Sequence, residues 1–317
     1  MDLKYILLIM GLVLLVVPGA ALDGFAYNQS ITYTACDQEI YQQDIVIHRS
    51  TGTAYAETVS GLKIWHLYVD EECKDDYGDV RFTNTTGAEL SYYLWPDYDS
   101  SSARFCVRLE VATSAGSLVI HYGNPSAEST SDGDATYLFC DWLDAGLSKW
   151  TGSGASCSDG ICTVSGTNGL IKSIYAIPDN TITIARVKTA HFASKSYPEH
   201  CGVLRVMYAD ISHSDSAFNG KWTSYYGGYR TIGSISGYTA NQWHTIVFER
   251  RGGSGAFRLD NAGPILVPAE KYTVDSTPFF IETWSSTSAR LDIDYILVRA
   301  YSATPPAVTA FNGENVV

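Results

Sequence analysis

The chain has 317 residues, of which 45% are hydrophobic and 17% charged, and its formal net charge is −13. Such a length accommodates about two domains with a sizeable core, and the composition excludes a disordered chain. The acidic balance repels phosphate backbones and anionic lipid, which argues against nucleic acid as a partner.

In chain order, Lys4 precedes an apolar run from Ile6 to Val17, and Pro18-Gly19-Ala20-Ala21 then supplies small residues. The run is too short to cross a bilayer comfortably and ends in a cleavage-site pattern. Residues 1–21 are therefore predicted to be a secretory signal peptide, with an uncleaved anchor as the alternative. The mature chain is expected to be extracellular or at the cell surface.

Strands are expected at Ser30 to Thr34, at Ile40 to His48, with the β-branched density of Ile45-Val46-Ile47, and at Leu62 to Val69. Thr51 to Ser60 reads as a loop. An acidic loop carrying Asp75, Asp76 and Asp79 leads into Val80-Arg81-Phe82, a turn around Asn84 to Gly87, and the aromatic stretch Leu90 to Trp95. This pattern predicts a hairpin. Strands at Phe105 to Val111 and Leu118 to Tyr122 follow, and Gly123-Asn124-Pro125 with the Ser/Asp/Gly-rich residues 126–134 forms a domain boundary.

Beyond it, short strands recur from Thr181 to Arg299, separated by Gly-bearing turns and without a convincing amphipathic helix. The expected fold class is all-β: two β-sandwich, jelly-roll-like domains in tandem after the signal peptide. The divisions are 1–21, 22–134, 135–303 and a C-terminal tail at 304–317.

Seven cysteines allow at most three intramolecular disulfides. Cys157 and Cys162 flank Ser158-Asp159-Gly160-Ile161, a turn that places them opposite each other across a hairpin, so a disulfide is predicted there. Pairing of the other five does not follow from sequence. Asn28-Gln29-Ser30 and Asn84-Thr85-Thr86 are N-x-S/T sequons, expected to be exposed if they are glycosylated.

Having no nucleophile elbow, phosphate loop or H-E-x-x-H, the sequence shows no catalytic constellation. Asp292 and Asp294, two apart on one strand, project from one face, which suits either a glycosidase pair or a hydrogen-bonded structural pair. Glu282 stands alone. His200-Cys201 reads either as part of a metal site or as loop residues. Asp75, Asp76 and Asp79 supply hard oxygens for calcium, against a solvated acidic loop as the other reading; no other cofactor is indicated.

The richest aromatic cluster is Trp222-Thr223-Ser224-Tyr225-Tyr226-Gly227-Gly228-Tyr229, followed by Arg230. Aromatic faces stack on sugars, and small neighbours let a ligand approach, so Trp222, Tyr225, Tyr226, Tyr229 and Arg230 form a candidate binding patch. Filling of the core by alternate aromatics accounts for the pattern equally well. Trp150 and Trp243 are read as core residues.

Three stretches carry a family resemblance: Asp76-Tyr77-Gly78-Asp79-Val80-Arg81-Phe82-Thr83, Leu90-Ser91-Tyr92-Tyr93-Leu94, and Ile120-His121-Tyr122-Gly123-Asn124-Pro125-Ser126-Ala127. In order and spacing they resemble the domain-of-unknown-function 2341 family of exported archaeal and bacterial proteins. The family usually has Tyr in place of His121, and Trp where this chain has Cys106. The second half resembles the concanavalin A-like, or laminin-G-like, jelly-roll superfamily through Leu147-Ser148-Lys149-Trp150, Asn241-Gln242-Trp243-His244-Thr245-Ile246 and Leu291 to Arg299.

Together these resemblances imply a non-enzymatic exported protein of binding or adhesion, recognising glycan or a cell-surface protein through the second sandwich. The alternatives are a self-associating structural surface protein and a jelly-roll glycoside hydrolase.

Overall fold

The computed structural model describes residues 22–59, 61–110, 112–189, 197–203, 207–214, 217–225, 229–272, 276–284 and 289–317. The predicted signal segment lies outside them. Eight strands come first: β1 (Tyr27–Tyr33), β2 (Ile40–His48), β3 (Tyr55–Val59), β4 (Leu62–Tyr68), β5 (Arg81–Asn84), β6 (Tyr92–Leu94), β7 (Ser102–Glu110) and β8 (Gly116–Tyr122). A single helical turn, α1 (Gly133–Thr136), is capped by the Asp132 carboxylate on the Ala135 N–H.

The chain continues through β9 (Phe139–Asp141), β10 (Trp150–Ser153), β11 (Ala155–Ser158), β12 (Ile161–Ser165), β13 (Leu170–Ile177), β14 (Thr181–Thr189), β15 (Tyr197–Val203) and β16 (Met207–Ser214). Then come β17 (Ala217–Tyr225), β18 (Tyr229–Ser234), β19 (His244–Arg250), β20 (Gly255–Leu259), β21 (Ile265–Val267), β22 (Thr277–Thr283), β23 (Arg290–Ala300) and β24 (Val308–Val316). The fold is all-β, as expected.

Four sheets stack as two sandwiches. The first pairs a four-stranded sheet, β24-β1-β8-β5, with a five-stranded one, β3-β4-β2-β7-β6. Ile31, Phe82 and Ile120 from one sheet meet Ile45, Trp65 and Phe105 from the other in its core. The second pairs β10-β13-β22-β15-β16-β17-β18 with β11-β12-β23-β14-β19-β20-β21, where β9 lies against β23. Its core holds Val187, Phe248 and Ile293 against Cys201, Trp222 and Ile281.

Strand alternation explains why the two sandwiches join face to face. On β14, Ala185 and Val187 enter the second core, while Ile182 and Ile184 point the other way. There they meet Trp95, Cys106, Tyr137 and Cys140, with Val247, Tyr295 and Leu297 alongside. The Trp142 and Tyr295 rings lie 4.6 Å apart in this layer. On β2, Ile45 and Ile47 fill the first core while Asp44 faces β23.

Asp44 is fully buried, with Arg299 Nη1 at 2.5 Å and Arg104 Nη2 at 3.3 Å. Burial alone would raise its carboxyl, but the Arg104 and Arg299 charges outweigh that and hold it below the usual range. Beside it, the Gln42 amide oxygen accepts from the Ala300 N–H at 2.8 Å.

Three segments depart from their expected form. The residues from Thr304 are not a tail: β24 pairs antiparallel with β1 along its length, from Tyr27↔Val316 to Tyr33↔Val308. The first sandwich is thus completed by the end of the chain, and the second is inserted between β8 and β24 rather than following in tandem. The predicted hairpin is split between sheets. After the turn at Asn84 to Gly87, β5 pairs with β8 and β6 with β7. Phe82 and Tyr92 then meet edge to face across the core at 5.3 Å instead of side by side. Within the expected loop 51–60, Tyr55–Val59 is an edge strand on β4, every residue of it exposed.

The Cys157–Cys162 disulfide is present, joining directly opposed residues of β11 and β12. Asp159 and Gly160 both have positive φ, 54° and 73°, the mirror-image turn that a two-residue hairpin loop requires. The other five cysteines are free and buried.

Removing one member of a buried ion pair leaves an uncompensated charge, which costs about 3–5 kcal/mol. Asp44→Ala should therefore lower stability by about that amount in chemical denaturation. A loss below about 1 kcal/mol would mean that the pair does not hold the two sandwiches together.

Candidate functional site

Because the eight-stranded sheet spends its outer face on the first sandwich, the seven-stranded sheet keeps one face directed away from both cores. On β22, β15, β16 and β17 the inward residues are Ile281, Cys201, Ala209 with Ile211, and Trp222. Their neighbours Glu282, His200, Asp210 and Lys221 therefore point outward. Register places all four on one level: Glu282 opposes His200, His200 opposes Asp210, and Asp210 opposes Lys221. The result is a straight row of carboxylate, imidazole, carboxylate and ammonium across four strands.

His200 Nδ1 lies 3.8 Å from Asp210 Oδ1. Burial lowers the affinity of the His200 ring for a proton, and the Asp210 and Glu282 charges offset part of that effect. At the next level Gly202 lies between Tyr208 and Phe280, and these two buried rings approach each other at 5.9 Å. Tyr208 also meets the His200 ring edge to face at 5.5 Å and so fixes its orientation. Trp284, two positions after Glu282, is 54% exposed.

The structure redistributes the predicted site residues. Trp222 is not a surface platform: it is 1% exposed, stacks on Phe257 at 4.7 Å and belongs to the second core. Tyr226 lies outside the described residues. Tyr225 and Tyr229 are paired across β17 and β18, and Arg230 on β18 is exposed. Trp150 is a core residue, held by its indole N–H on Asp141 at 2.7 Å. Trp243 is not; it lies half-buried beneath the Arg186 and Lys188 cations, at 5.1 and 4.7 Å.

The acidic loop spends its carboxylates locally. Asp79 is buried and accepts from the backbone N–H groups of Lys74, Gly123 and Asn124. Asp76 caps Gly78, and Asp75 pairs with Arg49 at 2.6 Å. Among the described residues no group of three or more His, Cys, Asp or Glu side chains is placed to hold a metal ion. His200 and Cys201 point to opposite faces and share no site.

Asp292 is tied to Arg290, Lys188 and Thr163, and Asp294 to Arg186, which makes both structural. Asn28 is buried in β1 between β24 and β8, contrary to the exposure expected of a sequon. Asn84 is half-buried in its turn, where its side-chain oxygen accepts from the N–H groups of Thr86 and Ala88.

Comparison with known proteins gives one family match: Domain of unknown function (DUF2341) over residues 76–153. The matched span runs from the acidic loop through β5 to β10 and so crosses from the first sandwich into the second. No curated protein sequence matches the chain.

Similar solved structures include an immunostimulatory antigen and pseudo β-1,3-glucanase of Mycobacterium tuberculosis. It has 15% identity and a TM-score of 0.42, with 52% of this chain and 98% of that one covered. A β-1,3-glucanase from Mycobacterium marinum has 15% identity and a TM-score of 0.38, with 51% and 98% covered. A structure from work on endo-acting O-glycanases of the human gut microbiota, which initiate mucin breakdown, has 13% identity and a TM-score of 0.41, with 52% and 99% covered.

The non-enzymatic expectation does not survive. It rested on the lack of a catalytic motif, with Glu282 standing alone, whereas Glu282 in fact shares a level with His200 and Asp210.

On the reverse face of the same strand Glu199 is fully buried, and burial pushes its carboxyl up to about 9, the Arg290 backbone offsetting part of the shift. An unfolded glutamate titrates near ~4.3. Between these values the folded state binds more protons than the unfolded one, so this contribution to stability is complete at low pH and is lost as pH rises through the window. Glu199→Gln should flatten the fall in melting temperature between about pH 5 and about pH 9. An equally steep fall in the variant would show that Glu199 is not its source.

Proposed function

We propose that the outward face of the seven-stranded sheet binds a carbohydrate chain at the cell surface or outside the cell. The observation that carries this reading is the single level of Glu282, His200, Asp210 and Lys221 beside the exposed Trp284. Sugars are recognised by acceptor and donor side chains that pair with hydroxyls, together with an aromatic face for the C–H surface. The row supplies both hydrogen-bonding roles, and Trp284 supplies the face. A row across strands also presents its groups at the even ~4.8 Å strand spacing, which suits an extended polymer better than a compact ligand.

The carboxylates favour a second reading, hydrolysis of the bound chain. Glu282 and Asp210 are separated by two strand spacings, roughly 9.5 Å between backbones. Carboxylate pairs of inverting glycosidases are about 6.5–9.5 Å apart, with a water between them and the sugar. His200 lies between the two and can adjust their charge.

A glycan array and a reducing-end assay on the same polysaccharide panel test both readings. The expected result is binding that Trp284→Ala and Asp210→Asn each weaken by about tenfold, the loss of a stacking or charged contact. Release of reducing ends that disappears in Glu282→Gln, with binding retained, assigns hydrolysis to the same face. Binding unaffected by all three substitutions would reject the site.

A further inference from the structure

The first sandwich carries a cavity of about 610 Å³ that the proposed carbohydrate face does not use. It is lined by loop 50–54, by Tyr68 and Asp70 at the end of β4, by Phe311 to Glu314 of β24, and by Gln29 of β1. Its size is that of a small-molecule site. Its walls are well held. The Tyr68 ring stacks on His48 at 4.7 Å, and a Cβ at Gly52 would lie 2.3 Å from that ring, so the loop backbone packs directly on it.

Hydrogen-bond roles decide what the cavity can accept. The Gln29 amide N–H groups are both used, on the Tyr68 carbonyl at 2.7 Å and the Tyr122 hydroxyl at 2.9 Å. The Tyr122 hydroxyl in turn donates to Glu314, and Asn312 donates to Ser30 at 2.9 Å. The lining contains no Lys, Arg or His. What it still offers includes two charged acceptors, the Asp70 carboxylate, which has no ion-pair partner among the described residues, and the second oxygen of Glu314, beside the hydroxyls of Ser50, Thr51, Thr53 and Tyr68. The half-buried Phe311 ring adds an aromatic wall of the kind that attracts cations.

A lining that carries two carboxylates and no basic side chain selects a ligand that is positive and donates. We propose that this cavity binds an alkylammonium or guanidinium group, with Asp70 and Glu314 as its charge partners. The group can belong to a free polyamine or to a basic side chain of a peptide.

The test titrates the full chain by calorimetry with two probes, spermidine and a capped pentapeptide containing one lysine. Asp70→Asn is the informative variant. Asp70 is exposed and has φ 41°, a left-handed conformation that Asn adopts readily, so the substitution removes charge without disturbing the backbone. Asp159→Asn, equally exposed with φ 54°, controls for loss of one negative charge elsewhere.

We expect single-site binding of at least one probe, weakened by about tenfold in Asp70→Asn and in Glu314→Gln and unchanged in Asp159→Asn. Which probe binds identifies the source of the cation. Binding equally weakened by Asp159→Asn, or unchanged in both cavity variants, would make the attraction one of net charge alone and overturn the proposal. So would absence of binding by either probe.

Discussion

A carboxylate withdrawn from water between two β-sandwiches is stable only where cations reach it, and Asp44 is reached by Arg299 from the other sandwich and by Arg104 from its own. The pair lies in the middle of the face-to-face contact, with Ile182, Ile184 and Leu297 on one side and Trp95 and Cys106 on the other. The apolar layer supplies the attraction, which has no direction of its own. The ion pair and the Gln42 contact to Ala300 supply direction, because a slip of one residue would strand a buried charge. Everything outward of this contact inherits its orientation. The eight-stranded sheet is committed to the interface, and the seven-stranded sheet is left with a free face.

The return of the chain end to its beginning has a related consequence. β1 lies between β8 and β24, so one side of it is satisfied early in the sequence and the other only by residues nearly three hundred positions later. Pairing β24 with β1 therefore closes a loop that contains the whole second sandwich. Such long-range pairing carries a high loop-closure cost and belongs to slow-folding topologies. It also sets the cavity of the first sandwich between an early loop, 50–54, and the final strand, a site that neither segment encodes alone.

Much of the fold was legible from local patterns. Alternation located β2, β4, β7 and β8, and the Asp159-Gly160 turn placed Cys157 opposite Cys162, since a two-residue turn determines its own register. Pairing partners were less legible. Val80-Arg81-Phe82 and Leu90 to Trp95 alternate correctly for a hairpin, yet the same alternation is satisfied when the two strands enter opposite sheets and meet across the core. Trp222 was equally suited to a surface or a core, and its stacking partner Phe257 lies three strands away in chain order. His200, Asp210 and Lys221 left no motif. Their only local sign was alternation with Cys201, Ala209, Ile211 and Trp222, which tells that they face away from the core but not what stands beside them.

By itself the sequence determined the class of structure: strand periods, turn chemistry, one disulfide hairpin and an acidic composition. These are properties of neighbours along the chain, where a residue's side follows from its parity. Only the tertiary structure decided which strands pair, that the last strand belongs with the first, and that Glu282, His200 and Asp210 share a level. Those are properties of register between distant segments. A register is selected by the whole packed core and by the few buried charges that tolerate no other arrangement.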